Sequence, residues 1–415
     1  MIDSNNINKI LNIKESYELP ERLMELLMGG NASDLFEKFL KLESDLSFDW
    51  FTDYFQEEHS NRNNMMQDFT PKEVARLLPM LEGNYNSVAD ICCGTGGLTI
   101  AAWNHNKHAT FYCEELSTRA FPLLLFNLAI RNINAIAVNK DVLENKVYAA
   151  YKINNMKITK LDSVPNIEKV DFIVTNPPYS VKWKYDEKQN DIRFRGYGYP
   201  PTQFADYGFV LHGLSLLKKE GKMCAILPHG VLFRGSKEEI IRRKLIDNNR
   251  IISVIGLPQK LFKNTGIPTC VCVYGNNDSG NVLFIDAQKE CIKGTKQNQL
   301  SMENLEKISE TYKNWTEHDK YSHIADKAEL EENGYNLNIP RYVDTFEPEE
   351  LPDLSDIVQE LAELEVEIYQ SQKDLIRQMK CLTSPDVKKK HELKKSIKIL
   401  EEAIDKHDVQ LKLEL

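Results

Sequence analysis

The sequence predicts an α/β fold: a Rossmann-like core on a mostly parallel sheet, preceded by a helical segment and followed by a helical, coiled-coil-type hairpin. Three observations carry that prediction. Short β-branched runs alternate with helical stretches from about residue 88 to 275. The first of those runs ends in a glycine-rich turn. From residue 351 onward the composition shifts to Glu, Lys and Leu at helical spacing.

Residues 1–60 read as helical, because Leu23, Leu26 and Leu27, then Leu35, Phe36, Phe39 and Leu40, recur on one helical face. Asn61-Arg62-Asn63-Asn64 is a polar break. A core over 61–290 follows, with strands expected at 87–92, 110–113, 136–139, 171–175, 222–227, 251–256 and 269–274. In such sheets ligands sit at the carboxyl ends of the strands, and the motifs described below fall there. A mixed, polar connecting region occupies 291–350, with Pro340, Pro348 and Pro352 marking a linker. In 351–415, Ile357, Leu361, Leu364, Ile368 and Leu375 form one stripe. Leu393, Ile397, Leu400, Ile404 and Leu411 form another, and Thr383-Ser384-Pro385-Asp386 supplies turn chemistry between them. An antiparallel hairpin of this kind either docks a partner or folds back on its own core; two such narrow stripes bury little alone, which favours docking.

Composition narrows the function. The 415 residues are 42% hydrophobic and 27% charged, ordinary for a globular protein. The start lacks the basic and apolar regions of a secretory signal, and no apolar run reaches membrane-spanning length. A cytoplasmic protein with no membrane partner is the expectation. Eight cysteines show neither metal-ligand spacing nor a disulfide framework. Cys92-Cys93 and Cys270-Val271-Cys272 read as small core residues, and no metal is expected. A phosphate-binding GxxxxGK[ST] loop is absent, since Gly221-Lys222 lacks the upstream glycine and is followed by Met223. The net charge of −10 means that the chain alone grips a polyanion weakly. Either the substrate is not nucleic acid or a basic partner shares the work.

Three motifs carry chemistry. In Val88-Ala89-Asp90-Ile91-Cys92-Cys93-Gly94-Thr95-Gly96-Gly97, a strand enters a glycine turn that opens a helix. Its spacing from Asp90 to Gly97 is D-x-x-x-G-x-G-G rather than the dinucleotide GxGxxG, and its glycines let the backbone approach a ligand. Next, Glu114-Glu115 ends the following strand, where a carboxylate can accept both ribose hydroxyls of a nucleoside. Glu115, followed by an apolar and then a small polar residue, is preferred, with its neighbour a solvated bystander. Asp141 ends the third strand and either accepts from an adenine amine or forms a turn. Most informative is the strand over 171–175 that ends in Asn176-Pro177-Pro178-Tyr179. Two prolines force the chain out of the sheet, so the Asn176 amide oxygen and the Pro177 carbonyl can accept from one –NH2 group. Tyr179 offers a face to a flipped base.

With these residues in hand, the chain resembles the modification subunit of type I restriction-modification systems, an adenine-N6 DNA methyltransferase family. The motif order fits the γ arrangement of class I amino-methyltransferases that use S-adenosyl-L-methionine. The resemblance runs from about Asn61 to Val343 and includes Leu227-Pro228-His229-Gly230 and Gly256-Leu257-Pro258-Gln259. It implies cofactor contacts at Gln67, Asp68, Phe69, Thr70, Pro71 and Lys72, at Thr95, Gly96 and Gly97, and at Glu115. It also suggests Phe262 as the opposite face of a base pocket, with a core phenylalanine the other reading. The implied partners are double-stranded DNA, a specificity subunit and a second copy of the chain, with a restriction subunit a further candidate. Two departures stand out: a short N-terminal helical part, and Cys92-Cys93 where a Pro/Ala pair is more common. Little chain follows Tyr274 to read a DNA sequence, which agrees with a separate specificity subunit. Lys182, Lys184, Lys188, Arg193 and Arg195, interleaved with Trp183, Tyr185 and Phe194, are candidate DNA contacts or a solvated loop. The same acceptor pair also suits cytosine N4, an RNA base or a protein glutamine. A scaffold that retains the fold without catalysis is the remaining alternative.

Overall fold

The computed structural model describes residues 3–30, 32–52, 54, 70–185, 190–262, 266–295, 297–345 and 353–413, with 405–413 as backbone only. They fall into two units, Met1–Thr345 and Phe346–Leu415.

The first unit begins with three helices, α1 (Ser4–Leu11), α2 (Leu19–Met28) and α3 (Ala32–Leu42). Asp3 caps α1 by accepting the Asn6 N–H at 2.8 Å, and Asn12 ends it in the left-handed region at φ 54. Ile7, Leu11, Leu23, Leu27, Leu35, Phe36 and Phe39 are buried along one face. Phe36 and Phe39 meet Phe126 at ring separations of 5.4 and 4.7 Å. Phe126 lies on a helix whose every residue is buried, so the leading segment packs directly on the core.

Among the described residues that core is one sheet of eleven strands: β1 (Ser87–Asp90), β2 (Thr110–Glu115), β3 (Ala135–Asp141), β4 (Lys146–Asn154), β5 (Lys157–Leu161), β6 (Val170–Thr175), β7 (Leu217–Pro228), β8 (Ile251–Gly256), β9 (Thr269–Gly275), β10 (Val282–Asp286) and β11 (Ser322–Ala325). Their spatial order is β11-β10-β8-β9-β7-β6-β1-β2-β3-β4-β5. The five strands from β7 to β3 are parallel, and β9 inserts antiparallel between β7 and β8. All seven strands expected from the sequence are present. The β4–β5 hairpin and the β10–β11 pair extend the sheet at its two edges.

Helices α4 (Lys72–Glu82), α5 (Gly97–His105), α6 (Phe121–Ile130) and α10 (Met302–Asn314) contribute to one apolar layer, which includes Leu77, Trp103, Leu124 and Ile308. Helices α7 (Asp206–Leu216), α9 (Lys237–Asp247) and α11 (Lys327–Glu332) contribute to the other, with Val210, Leu245 and Leu330; the short α8 (Gly230–Phe233) joins it. From β1 the chain moves outward through β2 to β3, whereas from β6 it moves the other way to β7. The reversal point lies between β1 and β6, and a crevice opens beyond their carboxyl ends.

The second unit holds α12 (Leu354–Cys381) and α13 (Val387–Leu413). Both expected helices are present, but they are not a flush hairpin. In a flush pair Lys380 would face the start of α13, yet it bonds Glu401 at 2.6 Å, about 20 Å further along the axis. The extended residues between the helices allow that stagger. Ile376 and Ile404 are buried, while Ile357, Leu361, Leu364, Ile368 and Leu375 are about half exposed. The first stripe is therefore left without cover among the described residues.

Candidate active site

The glycine turn at the end of β1 is held from below. Gly94 and Gly96 have φ of +56° and +104°, which L side chains rarely adopt. The Gly96 N–H closes the turn on the Cys93 carbonyl at 2.9 Å, and the Cys93 N–H donates to the Glu114 carbonyl at 3.0 Å. Gly97 opens α5, and nothing lies within 4 Å of where a Cβ would stand, so its face is open. Asp90 is fully buried beneath the turn, where its Oδ2 accepts from the Thr99 hydroxyl at 2.8 Å. Burial pushes its carboxyl up to about 7, against the Thr99 hydrogen bond. Its role is to shape the turn from inside; it does not line the cavity.

Asp49, which sequence reasoning missed, braces the same turn from the N-terminal segment. Its carboxylate accepts from the Thr95 hydroxyl, from Thr52 Oγ1 at 2.7 Å and from Asn127 Nδ2 at 2.7 Å. Asn127 also donates to the Thr95 carbonyl at 2.8 Å. Thr95 thus points away from the cavity, while Thr52 lines it.

Beyond β2, the two adjacent glutamates diverge. Glu115 lines the cavity, and its Oε2 and Oε1 accept the Gly94 and Ser117 N–H groups at 2.7 and 2.6 Å. Burial raises its carboxyl, opposed by those backbone donors. Glu114 is not a solvated bystander. It is wholly buried and accepts from Tyr112 Oη at 2.8 Å, Lys140 Nζ at 2.7 Å and His212 Nε2 at 2.6 Å. Burial works against its charge, but His212 and Lys140 outweigh it and hold the carboxyl at about 2. Asp141 ends β3 on the cavity wall and also accepts the Glu144 N–H at 2.9 Å, so its turn-forming role is present at the cavity itself.

On the far side of the switch point, β6 delivers Asn176-Pro177-Pro178-Tyr179 to the cavity wall. Asn176 Nδ2 donates to Thr70 Oγ1 at 3.0 Å, and its Oδ1 accepts from the Tyr179 hydroxyl at 2.8 Å. Tyr179 and Phe262 stand edge to face, 6.5 Å apart with their planes at 77°. Rings so oriented do not present two parallel faces to a planar group between them. The next residue, Ser180, sits at φ +54°, and Asp206 Oδ1 accepts its N–H at 3.0 Å. Arg234 clamps Asp206 in turn, with Nη2–Oδ2 at 2.7 Å, and bonds Glu238 at 2.6 Å and Ser180 Oγ at 3.3 Å. Asp206 and Glu238 are both buried, so this clamp fixes the loop that carries Asn176.

The resulting cavity measures about 280 Å³ and brings together Thr70, Gly94, Gly97, Glu115, Asp141, Asn176, Pro177, Pro178 and Tyr179. Gly96, Pro71, Lys72 and Phe262 lie outside its wall. Gln67, Asp68, Phe69 and Lys188 lie outside the described residues. Lys182 and Lys184 are exposed on the cavity rim, and Arg195 is exposed as well. Arg193 is not available as a DNA contact: it is 8% exposed, and its guanidinium bonds Asp191, His212 and the carbonyls of Val142 and Leu143. Its charge is neutralised inside the fold.

The family model described as N-6 DNA Methylase matches residues 47–351. The chain is similar to the methylase subunit of the type I restriction enzyme MpnII of Mycoplasma pneumoniae, with 28% identity over 87% of this chain and 68% of that protein. It is also similar to the MjaVIII methylase subunit of Methanocaldococcus jannaschii, with 31% identity over 77% of this chain and 56% of that one. The crystal structure of a type I restriction-modification system methyltransferase subunit from Streptococcus thermophilus superposes with a TM-score of 0.63 at 32% identity. That match covers 78% of this chain and 67% of the other. The chain thus spans between about half and two thirds of these relatives' lengths. A profile covering most of the chain, a shared fold above 30% identity and the observed switch-point crevice agree: this chain belongs to the N-6 DNA methylase family.

Proposed function

We propose that this chain transfers the methyl group of S-adenosyl-L-methionine to N6 of adenine in DNA, as the modification subunit of a type I restriction-modification complex. The observation that carries the reading is one cavity with two chemically distinct walls. The glycine turn and Glu115 form one wall, and Asn176 with Pro177 forms the other.

The residues fit the cofactor. Gly97 leaves room for close approach, Gly94 lines the cavity beside it, and Glu115, oriented by two backbone N–H groups, presents its carboxylate to ribose hydroxyls. Asp141 and the Val142–Leu143 backbone stand where an adenine edge would lie. When bound, S-adenosyl-L-methionine supplies an electrophilic methyl group on a sulfonium. The chain's own part is to orient the amine. Asn176 Oδ1 and the Pro177 carbonyl accept its two N–H bonds, which directs the nitrogen lone pair toward the cofactor side of the cavity. As the nitrogen becomes more acidic during transfer, the same two oxygens stabilise its growing positive charge until a proton leaves to solvent. Tyr179 stacks on the extruded base, helping to offset the few kcal/mol lost on unstacking. Lys182 and Lys184, exposed on the cavity rim, and the exposed Arg195 are assigned to meet the DNA backbone in this reading.

We assign 353–413 to docking a specificity subunit, because the apolar stripe of α12 is exposed and a basic partner would relieve the −10 charge. Labelled methyl transfer to DNA, RNA and protein, with and without the specificity subunit, tests the central reading. The expected result is incorporation into DNA that depends on the complex, abolished in Asn176→Ala while cofactor affinity stays within about threefold. Wild-type activity in that variant refutes the proposed orientation of the amine.

A further inference from the structure

Arg193 joins the two strips of chain that close one end of the cavity. On one side, β3 runs out through Asp141, Val142, Leu143 and Glu144, all on the cavity wall. On the other, the segment after the Asn176 tetrapeptide contributes Val181, Lys182, Trp183 and Lys184 to the wall. Arg193 lies in a 3-10 turn, Ile192–Phe194, that packs under this second strip. Phe194 meets Trp183 at 5.7 Å and Tyr199 at 4.8 Å, and the Trp183 N–H donates to the Thr202 carbonyl at 2.9 Å. From that platform the guanidinium crosses to the first strip, where Nη1 donates to the Val142 carbonyl and Nη2 to the Leu143 carbonyl at 3.0 Å.

The guanidinium is itself held on every side. Asp191 Oδ1 accepts from Nε at 3.0 Å and its Oδ2 from Nη2 at 2.6 Å, a fork-on-carboxylate arrangement that fixes its plane. Nη1 also approaches His212 Nδ1 at 3.2 Å. Arginine has donors only, so His212 Nδ1 accepts and its Nε2–H donates to Glu114 at 2.6 Å. Glu114 then reaches Lys140, the residue before Asp141. The network is balanced, with Arg193 and Lys140 against Asp191 and Glu114, and it ends on both sides of the Asp141 rim. Buried ion networks of this kind contribute little net stability compared with apolar packing. What this one supplies is geometry, since a rim that has no ladder partner past Asp141 is given a fixed position by two carbonyl contacts.

We propose that Arg193 is a positioning residue for the cofactor: it sets the distance between the Val142–Leu143 rim and the strip after the tetrapeptide, and so shapes the nucleoside end of the cavity. The proposal rests on the reading of this cavity as the S-adenosyl-L-methionine site. Lysine at this position keeps the charge but cannot hold Asp191 bidentately and reach both carbonyls at once.

Isothermal titration of S-adenosyl-L-methionine and of adenosine into the full chain tests it. For Arg193→Lys the expected result is a dissociation constant raised about tenfold for both ligands, with stoichiometry near that of the wild type. In turnover, KM for the cofactor rises by a similar factor while kcat stays within about threefold. A merely structural role gives the opposite pattern, with fewer competent sites and an unchanged dissociation constant in those that remain. If Arg193→Lys does not fold, Asp191→Asn, which loosens the fork from its half-buried side, is expected to weaken both ligands about threefold to fivefold. Wild-type affinity in whichever variant folds overturns the proposal. A wild-type chain that binds neither ligand overturns the cofactor reading instead.

Discussion

Arg234→Met removes the clamp beneath the catalytic loop and leaves Asp206 and Glu238 facing each other, both buried and both deprived of their cation. Breaking a buried ion pair costs about 3–5 kcal/mol, and the 21% exposure of the arginine side chain lowers this to roughly 2–3 kcal/mol. Part of that cost is relieved by protonation. Burial already raises the Glu238 carboxyl, and loss of Arg234 moves it further in the same direction. The remainder falls on Ser180, whose left-handed backbone is held by Asp206 and whose displacement moves Asn176, four residues earlier. A shift of even 1 Å in a reacting group costs about 100-fold in rate. The expected outcome is a kcat for DNA methylation lowered about 100-fold, with the cofactor dissociation constant within about threefold, because the glycine turn and Glu115 lie on other strands. Single-turnover methylation at saturating cofactor, with urea denaturation run alongside, measures both. A kcat within threefold of wild type, or a loss confined to cofactor affinity, refutes the clamp.

Three further outcomes follow from the same geometry. Tyr179→Phe removes the hydroxyl that donates to Asn176 but keeps the ring, so KM for DNA should stay within about threefold, whereas Tyr179→Ala loses about 1–3 kcal/mol of stacking; equal damage in the two variants contradicts the stacking role. Asp90, with its carboxyl near pH 7 when folded and near 4 when unfolded, holds a proton in the folded chain that the unfolded chain releases between those values, so its contribution to stability falls as pH rises through that window. Urea denaturation of Asp90→Asn should therefore gain about 2–3 kcal/mol relative to wild type between pH 5 and pH 7, and a pH-independent difference rules this out. Deleting 353–415 should abolish co-elution with the specificity subunit while leaving cofactor affinity unchanged, and a truncated chain that still co-elutes rules out the docking assignment.

Legibility in the sequence followed the range of the interactions. The glycine turn, the acid at the end of the next strand and the Asn-Pro-Pro-Tyr exit are local patterns, and each lies where its flanking strand directs it. The central strands were visible because they are buried on both faces and so are continuous apolar runs, as in β8 and β9. The strand β4, next to the edge, was not, because Lys146, Val147, Tyr148 and Lys152 are exposed and break its pattern. Glu114 and Glu115 look alike in sequence; only the fold brings Lys140 and His212, 26 and 98 residues distant, to the first of them. Asp49 met Thr95 and Asn127 across 46 and 78 residues. Arg193 was read as surface charge among lysines, although its partner Asp191 is only two residues away. Nothing local distinguishes such an ion pair from a solvated one until a cavity wall closes over it.

Isotopically labelled S-adenosyl-L-methionine, the chain with its specificity subunit and duplex DNA, followed by nucleoside mass spectrometry, gives the shortest route to the main assertion. The label is expected in N6-methyladenine alone, and absent when Asn176 is alanine. Label recovered in N4-methylcytosine, in RNA or in protein, or undiminished in N6-methyladenine without that asparagine, contradicts it.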